Sequence, residues 1–106
     1  MIKTANIIPL SKIARAGDQF FTYAVPPGLP IKPGQLVKIP LGQRSALGIV
    51  YDLKPPARFF SALKPIRTLV DPRPLLTKAQ LKLAEWIAQY YIASLGLVIK
   101  TMIPKF

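Results

Sequence analysis

The chain has 106 residues, of which 51% are hydrophobic, and a formal net charge of +11. This length fits a single domain over residues 1–106 that is too hydrophobic to be a disordered tail, and no apolar run approaches the roughly 18 residues of a membrane span. Because Cys and His are absent, disulfides, thiolate metal sites and nucleophile–histidine catalysis are excluded.

Residues 1–74 are rich in short strands. Runs of β-branched and aromatic residues bounded by Pro, Gly and other turn residues occupy residues 5–10, 20–25, 35–41, 46–53 and 66–70. Since proline cannot donate to a strand ladder, Pro9, Pro26 and Pro40 should mark strand ends or edges. The pattern predicts a small antiparallel sheet that is strongly bent, or a β-barrel. Residues 1–6 lack the apolar core of a secretory signal, so we expect a cytoplasmic protein.

Two polar stretches interrupt this strand region. Residues 11–18 end in the turn pair Gly17-Asp18, and residues 54–58 read as a stiff basic linker. Phe59 and Phe60 follow the linker, and we expect them to be buried. The strand region ends at residues 71–74, where each proline disfavours helix in the residue before it.

Residues 75–104 change to a helical period. Thr77 is a good helix cap, and one apolar stripe at three- and four-residue steps is formed by Leu76, Ala79, Leu83, Ala84, Ile87, Tyr90 and Tyr91. The opposite, polar face carries Lys78, Lys82, Glu85 and Gln89. Trp86 lies one residue off the stripe, so we expect it to flank the core. Gly96 should break the helix, and residues 97–102 can form a second one. The fold class is therefore α+β, a bent sheet or barrel followed by a helical segment.

The acidic residues do not form a catalytic set. They are far apart in the chain: Asp18, Asp52, Asp71 and Glu85. Asp18 and Asp71 stand in turns, where Asp usually accepts hydrogen bonds from the local backbone. No cluster of oxygen ligands for a divalent metal is present, and the phosphate-loop pattern is missing. We therefore expect a binding domain with no cofactor of its own.

The positive charge favours a nucleic-acid partner. It is spread evenly, with +4 in residues 1–40, +4 in residues 41–74 and +3 in residues 75–106, which indicates a basic folded surface and not a tail. Single-stranded nucleic acid is held by a basic groove and stacking aromatics. The candidates for stacking are Phe20, Phe21, Tyr23, Tyr51, Phe59, Phe60 and Trp86. Most of them must fill the core, which leaves two or three for the ligand.

The order of strands and turns carries a family resemblance. Residues 20–28 read FFTYAVPPG, residues 32–42 read KPGQLVKIPLG, and residues 47–51 read LGIVY. This series resembles the amino-terminal 3′ DNA-binding domain of the bacterial replication-restart helicase PriA, also called primosomal protein N′. That family has an F-[DTS]-Y strand ending in P-x-G, a K-x-G turn, a V-x-[VI]-P-[FL]-G strand and a G-[IVF]-V strand. The resemblance covers nearly all of the chain.

The resemblance implies a site for the 3′-terminal nucleotide of the nascent leading strand at a stalled fork. Carried over by motif position, its residues are Phe21, Thr22, Tyr23, Gly42 and Lys64. Lys64 depends on an alignment across a variable loop, and Arg67 is the alternative. Additional contacts to the DNA backbone are expected from Lys38, Arg44 and Arg67, and binding should be strongly salt-dependent.

Thr22 departs from the commonest family pattern, which has Asp at this position. A carboxylate only accepts hydrogen bonds, whereas a threonine hydroxyl also donates and is uncharged. Selection of a free 3′ end is then either weaker here or supplied by the neighbouring backbone.

The resemblance also implies a parent protein. That parent is an ATP-dependent 3′–5′ helicase that binds zinc, and both ATP and zinc are expected only there. Other primosome proteins and single-strand-binding proteins would be reached through the parent, and the domain itself is expected to be a monomer.

Two other functions are compatible with the residues alone. A small basic barrel can bind structured or ribosomal RNA with no preference for a free 3′ end. A basic face can also dock on an acidic protein or on membrane lipid, although Lys78 and Lys82 share their helix face with Glu85 and Gln89.

Overall fold

Five strands precede two helices in the computed structural model, which describes residues 2–10, 20–57, 63–91 and 93–103. The elements are β1 (Ile2–Pro9), β2 (Phe21–Ala24), β3 (Leu36–Leu41), β4 (Arg44–Ala57), β5 (Thr68–Asp71), α1 (Lys78–Tyr90) and α2 (Leu95–Met102). The strands form one open antiparallel sheet in the order β2-β1-β4-β3-β5. The predicted α+β class, with an antiparallel sheet followed by a helical segment, is confirmed.

The segment before β5 bends the sheet. The Ala24 N–H in β2 donates to the Lys64 carbonyl oxygen at 2.9 Å, and the Ala24 carbonyl accepts from the Ile66 N–H at 3.0 Å. The Arg67 N–H donates to the carbonyl oxygen of Lys38 in β3, also at 2.9 Å. Residues 64–67 therefore bond to both β2 and β3, which stand three places apart in the sheet. Only a strongly curved sheet brings these two strands to one segment.

Strand alternation divides the buried residues between the two faces of the sheet. The inner core, on the concave face, contains Ala5, Ile7, Tyr23, Val25, Ile31, Val37, Ile39, Val50 and Ile66. The helix-side core, on the other face, contains Ile8, Leu10, Leu36, Ile49, Leu76, Leu81, Ala84, Ala88, Leu95 and Ile99. Complete burial of one such aliphatic side chain stabilises the fold by about 1.5–3 kcal/mol.

Strand β4 is longer than predicted. The expected basic linker at residues 54–58 is wrong as far as residue 57, because β4 continues through Lys54 to Ala57. Lys54 pairs with Thr4 and Ala57 with Ile2, and the register shifts between these two pairs. Pro55 and Pro56 occupy this irregularity, where a missing N–H does not break a regular ladder. Residues 58–60, with the predicted buried Phe59 and Phe60, lie outside the described part of the chain, as do residues 11–19.

Helix α1 begins at the predicted cap. The Thr77 side chain accepts from the Gln80 N–H at 3.1 Å, and the Gln80 side chain accepts from the Thr77 N–H at 2.8 Å. This reciprocal capping box satisfies two backbone donors that the first turn cannot pair. The cap therefore fixes the start of α1 at Lys78.

The predicted apolar stripe of α1 is wrong in most of its members. The buried residues of the helix are Leu81, Ala84 and Ala88. Leu83 is 49% exposed, Tyr90 66% and Tyr91 69%, and Ala79 is exposed. The helix has apolar residues on two opposite sides, so periodicity alone did not decide which side faces the sheet.

The predicted break of the helix at Gly96 is wrong. Helix α1 ends at Tyr90, and Gly96 lies inside α2. A Cβ at Gly96 would collide with the backbone carbonyl of Pro9, so glycine permits close contact between α2 and the end of β1. No helix in the described residues is long and apolar enough to cross a membrane.

Candidate nucleic-acid interface

Strand β2 divides three predicted site residues between its faces. Tyr23 lies in the inner core with 6% of its surface exposed, and the half-buried Phe21 packs against the same core. Thr22 projects to the opposite face, where its side chain meets that of Asn6. The predicted alternation of Phe21, Thr22 and Tyr23 is confirmed, and it presents an aromatic pair on one side and a hydroxyl on the other.

Tyr23 joins β2 to the turn that contains Gly42. Its hydroxyl donates a 2.7 Å hydrogen bond to the Pro40 carbonyl oxygen. Pro40 stands two residues before Gly42. Gly42 lies in the short turn that is closed by the pairing of Leu41 with Arg44. Burial raises the pKa of Tyr23 above its ordinary value, so the phenol remains a neutral donor. This bond brings two of the predicted site motifs together.

Gly42 presents an open backbone to its surroundings. Its φ of +63° lies in the left-handed region, which residues other than glycine rarely adopt. A Cβ built on Gly42 meets no atom within 4 Å, and the residue is exposed. The turn requires glycine for its conformation, and the absence of a side chain also lets a ligand approach the backbone.

Lys64 lies beside β2, whereas Arg67 lies beside β3. The Lys64 carbonyl bonds to Ala24, the residue after Tyr23, and the Lys64 side chain is exposed. The Arg67 guanidinium instead donates to the Ser45 hydroxyl at 2.7 Å. For a site at β2, this placement favours Lys64 over the alternative Arg67.

The outer edge of β2 offers backbone groups at Thr22. The Val25 N–H donates inward to the Lys3 carbonyl of β1 at 2.8 Å, whereas the Ala24 N–H donates outward to Lys64. Because alternate residues of an antiparallel strand present their backbone groups to the same side, the N–H and C=O of Thr22 also point outward. A ligand along this edge would meet a backbone donor and acceptor next to the Thr22 hydroxyl.

A row of polar side chains crosses three strands behind Thr22. The Thr22 hydroxyl donates to Asn6 Oδ1 at 2.8 Å, and Asn6 Nδ2 donates to Asp52 Oδ1 at 2.9 Å. Asp52 Oδ2 lies 3.6 Å from the Lys54 ammonium. Asn6 is directly opposite Thr22 in the pairing of β1 with β2, and directly opposite Asp52 in the pairing of β1 with β4. Asn6 was not singled out from the sequence; its one signal is a polar residue within an apolar strand.

The three residues expected to contact the DNA backbone lie on or beside neighbouring strands of the sheet. Lys38 is in β3, Arg44 begins β4, and Arg67 immediately precedes β5. All three are exposed, and within the described residues none of them forms an ion pair. By contrast, Lys54 pairs with Asp52, and Arg73 pairs with Asp71 at 3.3 Å. The unpaired cations form a basic area beside the Gly42 turn.

The described acidic residues have structural partners. Asp71 accepts from the Arg73 N–H at 2.9 Å, which confirms the predicted turn role. The backbone and side-chain hydrogen bonds from Arg73 lower the pKa of Asp71. Glu85 accepts from the Tyr51 hydroxyl at 2.8 Å. Within the described part of the chain, no three His, Cys, Asp or Glu residues gather as a metal site. Asp18 lies outside that part.

Two of the candidate stacking residues are held between the sheet and α1. The rings of Phe20 and Tyr51 lie 4.7 Å apart. The Tyr51 hydroxyl donates to Glu85 and accepts from the Lys82 ammonium at 2.9 Å. This hydrogen bond from Lys82 to Tyr51 is the main reason that the pKa of Lys82 is raised. Phe20 and Tyr51 therefore connect the sheet to the helix.

Trp86 lies on the surface, so its expected place beside the core is wrong. It is 58% exposed and stacks on Tyr90, with ring centroids 5.2 Å apart and ring planes at 14°. Tyr91 meets Tyr90 edge-on at 4.9 Å. Trp86 and Tyr90 lie on the face of α1 that points away from the buried Leu81 and Ala84, and Tyr91 caps the end of the helix.

The chain is similar to one protein family over almost its whole length. Residues 7–104 match the PriA family model described as the 3′ DNA-binding domain (3′BD). The replication restart protein PriA of Chlamydia pneumoniae is 36% identical over 101 residues, which cover 94% of this chain and 13% of the relative. The PriA of Synechocystis is 32% identical over 87 residues, covering 79% and 10%, respectively. The PriA of Rickettsia conorii is 30% identical over 82 residues, covering 77% and 12%. The chain thus spans only about a tenth of the length of these curated relatives.

Proposed function

Since the chain belongs to the family of PriA 3′ DNA-binding domains, the DNA-binding domain of replication restart proteins, we propose that it recognises the free 3′ end of a DNA strand at a stalled fork. The observation that carries this proposal is the joining of the predicted residues around β2. The Tyr23 hydrogen bond connects β2 to the Gly42 turn, and the Ala24 hydrogen bond connects β2 to Lys64. Three parts of the predicted site that are far apart in the chain (residues 21–23, the Gly42 turn and Lys64) thereby meet near the carboxyl end of one short strand.

Each residue has a physical role in the proposed site. Phe21 is half-buried, so part of its ring can stack on the terminal base without selecting its identity, a contact of roughly 1–3 kcal/mol. The exposed Gly42 backbone lets the last sugar approach closely. Lys64 pairs with the last phosphate, and Thr22 with its outward backbone groups meets the terminal hydroxyl. An internal linkage would place a phosphate charge where only neutral polar partners are present, which is unfavourable.

The basic area supports binding of the strand that leads to this end. Lys38, Arg44 and Arg67 are exposed and make no ion pair within the described residues, so their charges are available to phosphates. Each neutralised phosphate of a single strand contributes about −0.7 to the slope of log K against log salt. We expect the end contacts to supply selectivity and the basic area to supply salt-dependent affinity.

The remaining parts of the proposal concern the longer protein. The chain covers 10–13% of its PriA relatives, and a cytoplasmic helicase that uses ATP and zinc and contacts primosome and single-strand-binding proteins would contain this domain as a recognition element. No cofactor is part of the proposed end recognition, and the domain acts in it as a monomer.

The test compares oligonucleotides that differ only at the terminus. Fluorescence anisotropy would measure binding of the same single strand ending in 3′-OH or in 3′-phosphate. We expect the 3′-OH strand to bind at least fivefold more tightly, and Lys64→Ala to weaken it more than it weakens a blunt duplex with both 3′ ends phosphorylated. Equal affinity of the two single strands would refute end recognition while leaving general DNA binding intact. A matched RNA strand bound equally tightly and without end preference would favour the RNA-binding alternative.

A further inference from the structure

The hydrogen bonds of the Thr22–Asn6–Asp52 row can run in only one direction. Asp52, when ionised, accepts hydrogen bonds and cannot donate. The Asn6 group 2.9 Å from it must therefore be the amide nitrogen, because the amide oxygen would be repelled there. This assignment turns Asn6 Oδ1 toward Thr22, 2.8 Å away. An amide oxygen only accepts, so the single proton of the Thr22 hydroxyl is committed to Asn6.

The commitment of this proton leaves Thr22 as an acceptor toward any ligand. A threonine hydroxyl has one proton and two lone pairs, and no described residue donates to this oxygen. A free 3′-OH is a hydrogen-bond donor, a 3′-hydrogen has nothing to donate, and an ionised 3′-phosphate offers oxygens that only accept at full charge. An oxygen held as an acceptor distinguishes the first of these from the other two.

We propose that Asp52 is a positioning residue that determines end specificity: through Asn6 it holds the Thr22 hydroxyl as an acceptor for the terminal 3′-OH. The inference rests on the proposed function. It assigns to Asp52 and Asn6 a role in a site from which both lie one or two strands away. Their polar row lies on the helix side of the sheet, and Thr22 is half-buried at its end, where the outer edge of β2 carries the outward backbone groups.

Lys54 helps to keep Asp52 in place. Its ammonium lies 3.6 Å from the second carboxylate oxygen of Asp52, and the two side chains are 54% and 36% exposed. An ion pair this exposed contributes little stability, but it occupies the Asp52 oxygen that Asn6 does not use. The carboxylate therefore has one partner on each side, and the row is a continuous chain from Lys54 to Thr22.

Two variants break the row, and a third reverses it. Asp52→Leu removes the acceptor that orients Asn6, and Asn6→Leu removes the acceptor of the Thr22 proton. In the double variant Asn6→Asp/Asp52→Asn, the residue at position 6 again only accepts, so it receives protons from both Thr22 and position 52. The exchange keeps the charge and volume of the pair, and the proposal predicts that it restores the acceptor state of Thr22.

The measurement is the ratio of affinities for strands ending in 3′-OH and in 3′-hydrogen (a dideoxy terminus). A neutral hydrogen bond of ordinary strength predicts a ratio of roughly 5–10 for the natural chain. Thr22→Val should bring the ratio close to 1, whereas Thr22→Ser should keep it. Asp52→Leu and Asn6→Leu should lower it about threefold, and the exchange variant should return it to within about twofold of the original.

The outcomes separate this inference from the proposed function. If Asp52→Leu and Asn6→Leu weaken both strands in equal proportion, the row is only structural and the inference is overturned. If these variants change neither affinity, the ratio also stays the same and the inference is overturned as well. If the natural chain already binds 3′-OH and 3′-phosphate strands equally, end recognition itself fails and the inference fails with it. Thermal melting of each variant shows whether a lost ratio accompanies a folded protein.

Discussion

Strand β2 and the outer face of α1 both carry aromatic residues, but among the described residues only those of β2 are organised by side-chain hydrogen bonds. At β2, Tyr23 is 6% exposed and its hydroxyl is bonded to Pro40. On α1, Trp86 and Tyr90 are 58% and 66% exposed, and their rings stack on each other. The comparison teaches that aromatic exposure does not by itself identify the DNA site in this domain. The proposal instead follows the hydrogen bonds that connect β2 to the Gly42 turn and to Lys64.

Substitution of Gly42 should have the largest effect on binding and separates the β2 site from other turns. Gly42→Asn tolerates a left-handed backbone better than other side chains, and its Cβ has open space, so the fold should be kept. The new side chain would nevertheless occupy the approach of the terminal sugar. We expect 3′-OH affinity, measured by anisotropy, to fall roughly 30-fold, or about 2 kcal/mol.

Gly28 provides a matched control for that substitution. Its φ is +80°, and a Cβ there also meets no atom within 4 Å, so Gly28→Asn introduces the same side chain with similar backbone strain. We expect its 3′-OH affinity to remain within twofold of the original. If the two variants bind equally well, the Gly42 turn does not contact the strand end.

Removal of the Tyr23 hydroxyl should have the next largest effect, this time on stability. Tyr23→Phe deletes the buried 2.7 Å hydrogen bond to the Pro40 carbonyl, which should lower the free energy of unfolding by about 1 kcal/mol in urea titrations. Tyr90→Phe is the control on α1, because Tyr90 is exposed, and it should change stability by less than about 0.5 kcal/mol. Similar losses in the two variants would mean that β2 is no better ordered than the helix face.

The pH dependence of the Tyr23 difference has a definite sign. Burial raises the pKa of Tyr23 in the folded chain above its ordinary value of about 10. Above that pH the unfolded chain binds fewer protons at this position than the folded chain, so stability falls as pH rises. Tyr23→Phe lacks this loss. The stability gap between the natural chain and the variant should therefore be constant below pH 10 and narrow above it.

Strand patterns were sufficient to predict the sheet. The Pro and Gly residues at run ends located the five strands, and Thr77 located the start of α1, because these signals act within a few residues of chain. The orientation of α1 could not be obtained this way. Leu83 and Leu81 both fit a helical period, and which one is buried depends on the sheet surface that α1 meets, a long-range property.

The polar row and Gln35 show a second limit of the sequence. Gln35 is 1% exposed, and its amide bonds to the Lys32 N–H and to the carbonyls of Pro30 and Pro72. Nothing near Gln35 in the sequence announces a partner 37 residues away. Asn6 and Asp52 are likewise 46 residues apart. Side-chain hydrogen bonds of this kind depend on strand register. The register between β1 and β4 is shifted by bulges, and one sequence alone does not show where such bulges lie.

The smallest expected effect is that of Trp86→Ala. This variant tests most directly whether DNA contacts β2 or the outer face of α1. Base stacking on an exposed tryptophan contributes about 1–3 kcal/mol where it occurs, so a strand that used this platform would lose at least fivefold in affinity on Trp86→Ala. Because the Trp86 ring stacks on Tyr90 on the exposed side of α1, away from the buried Leu81 and Ala84, we expect 3′-OH affinity to change by less than twofold. Unfolding should be nearly unaffected too, since the ring is mostly exposed, whereas Leu81→Ala should cost about 2–5 kcal/mol. A large loss of binding in Trp86→Ala, with melting unchanged, would move the DNA contact from the strand edge to the helix.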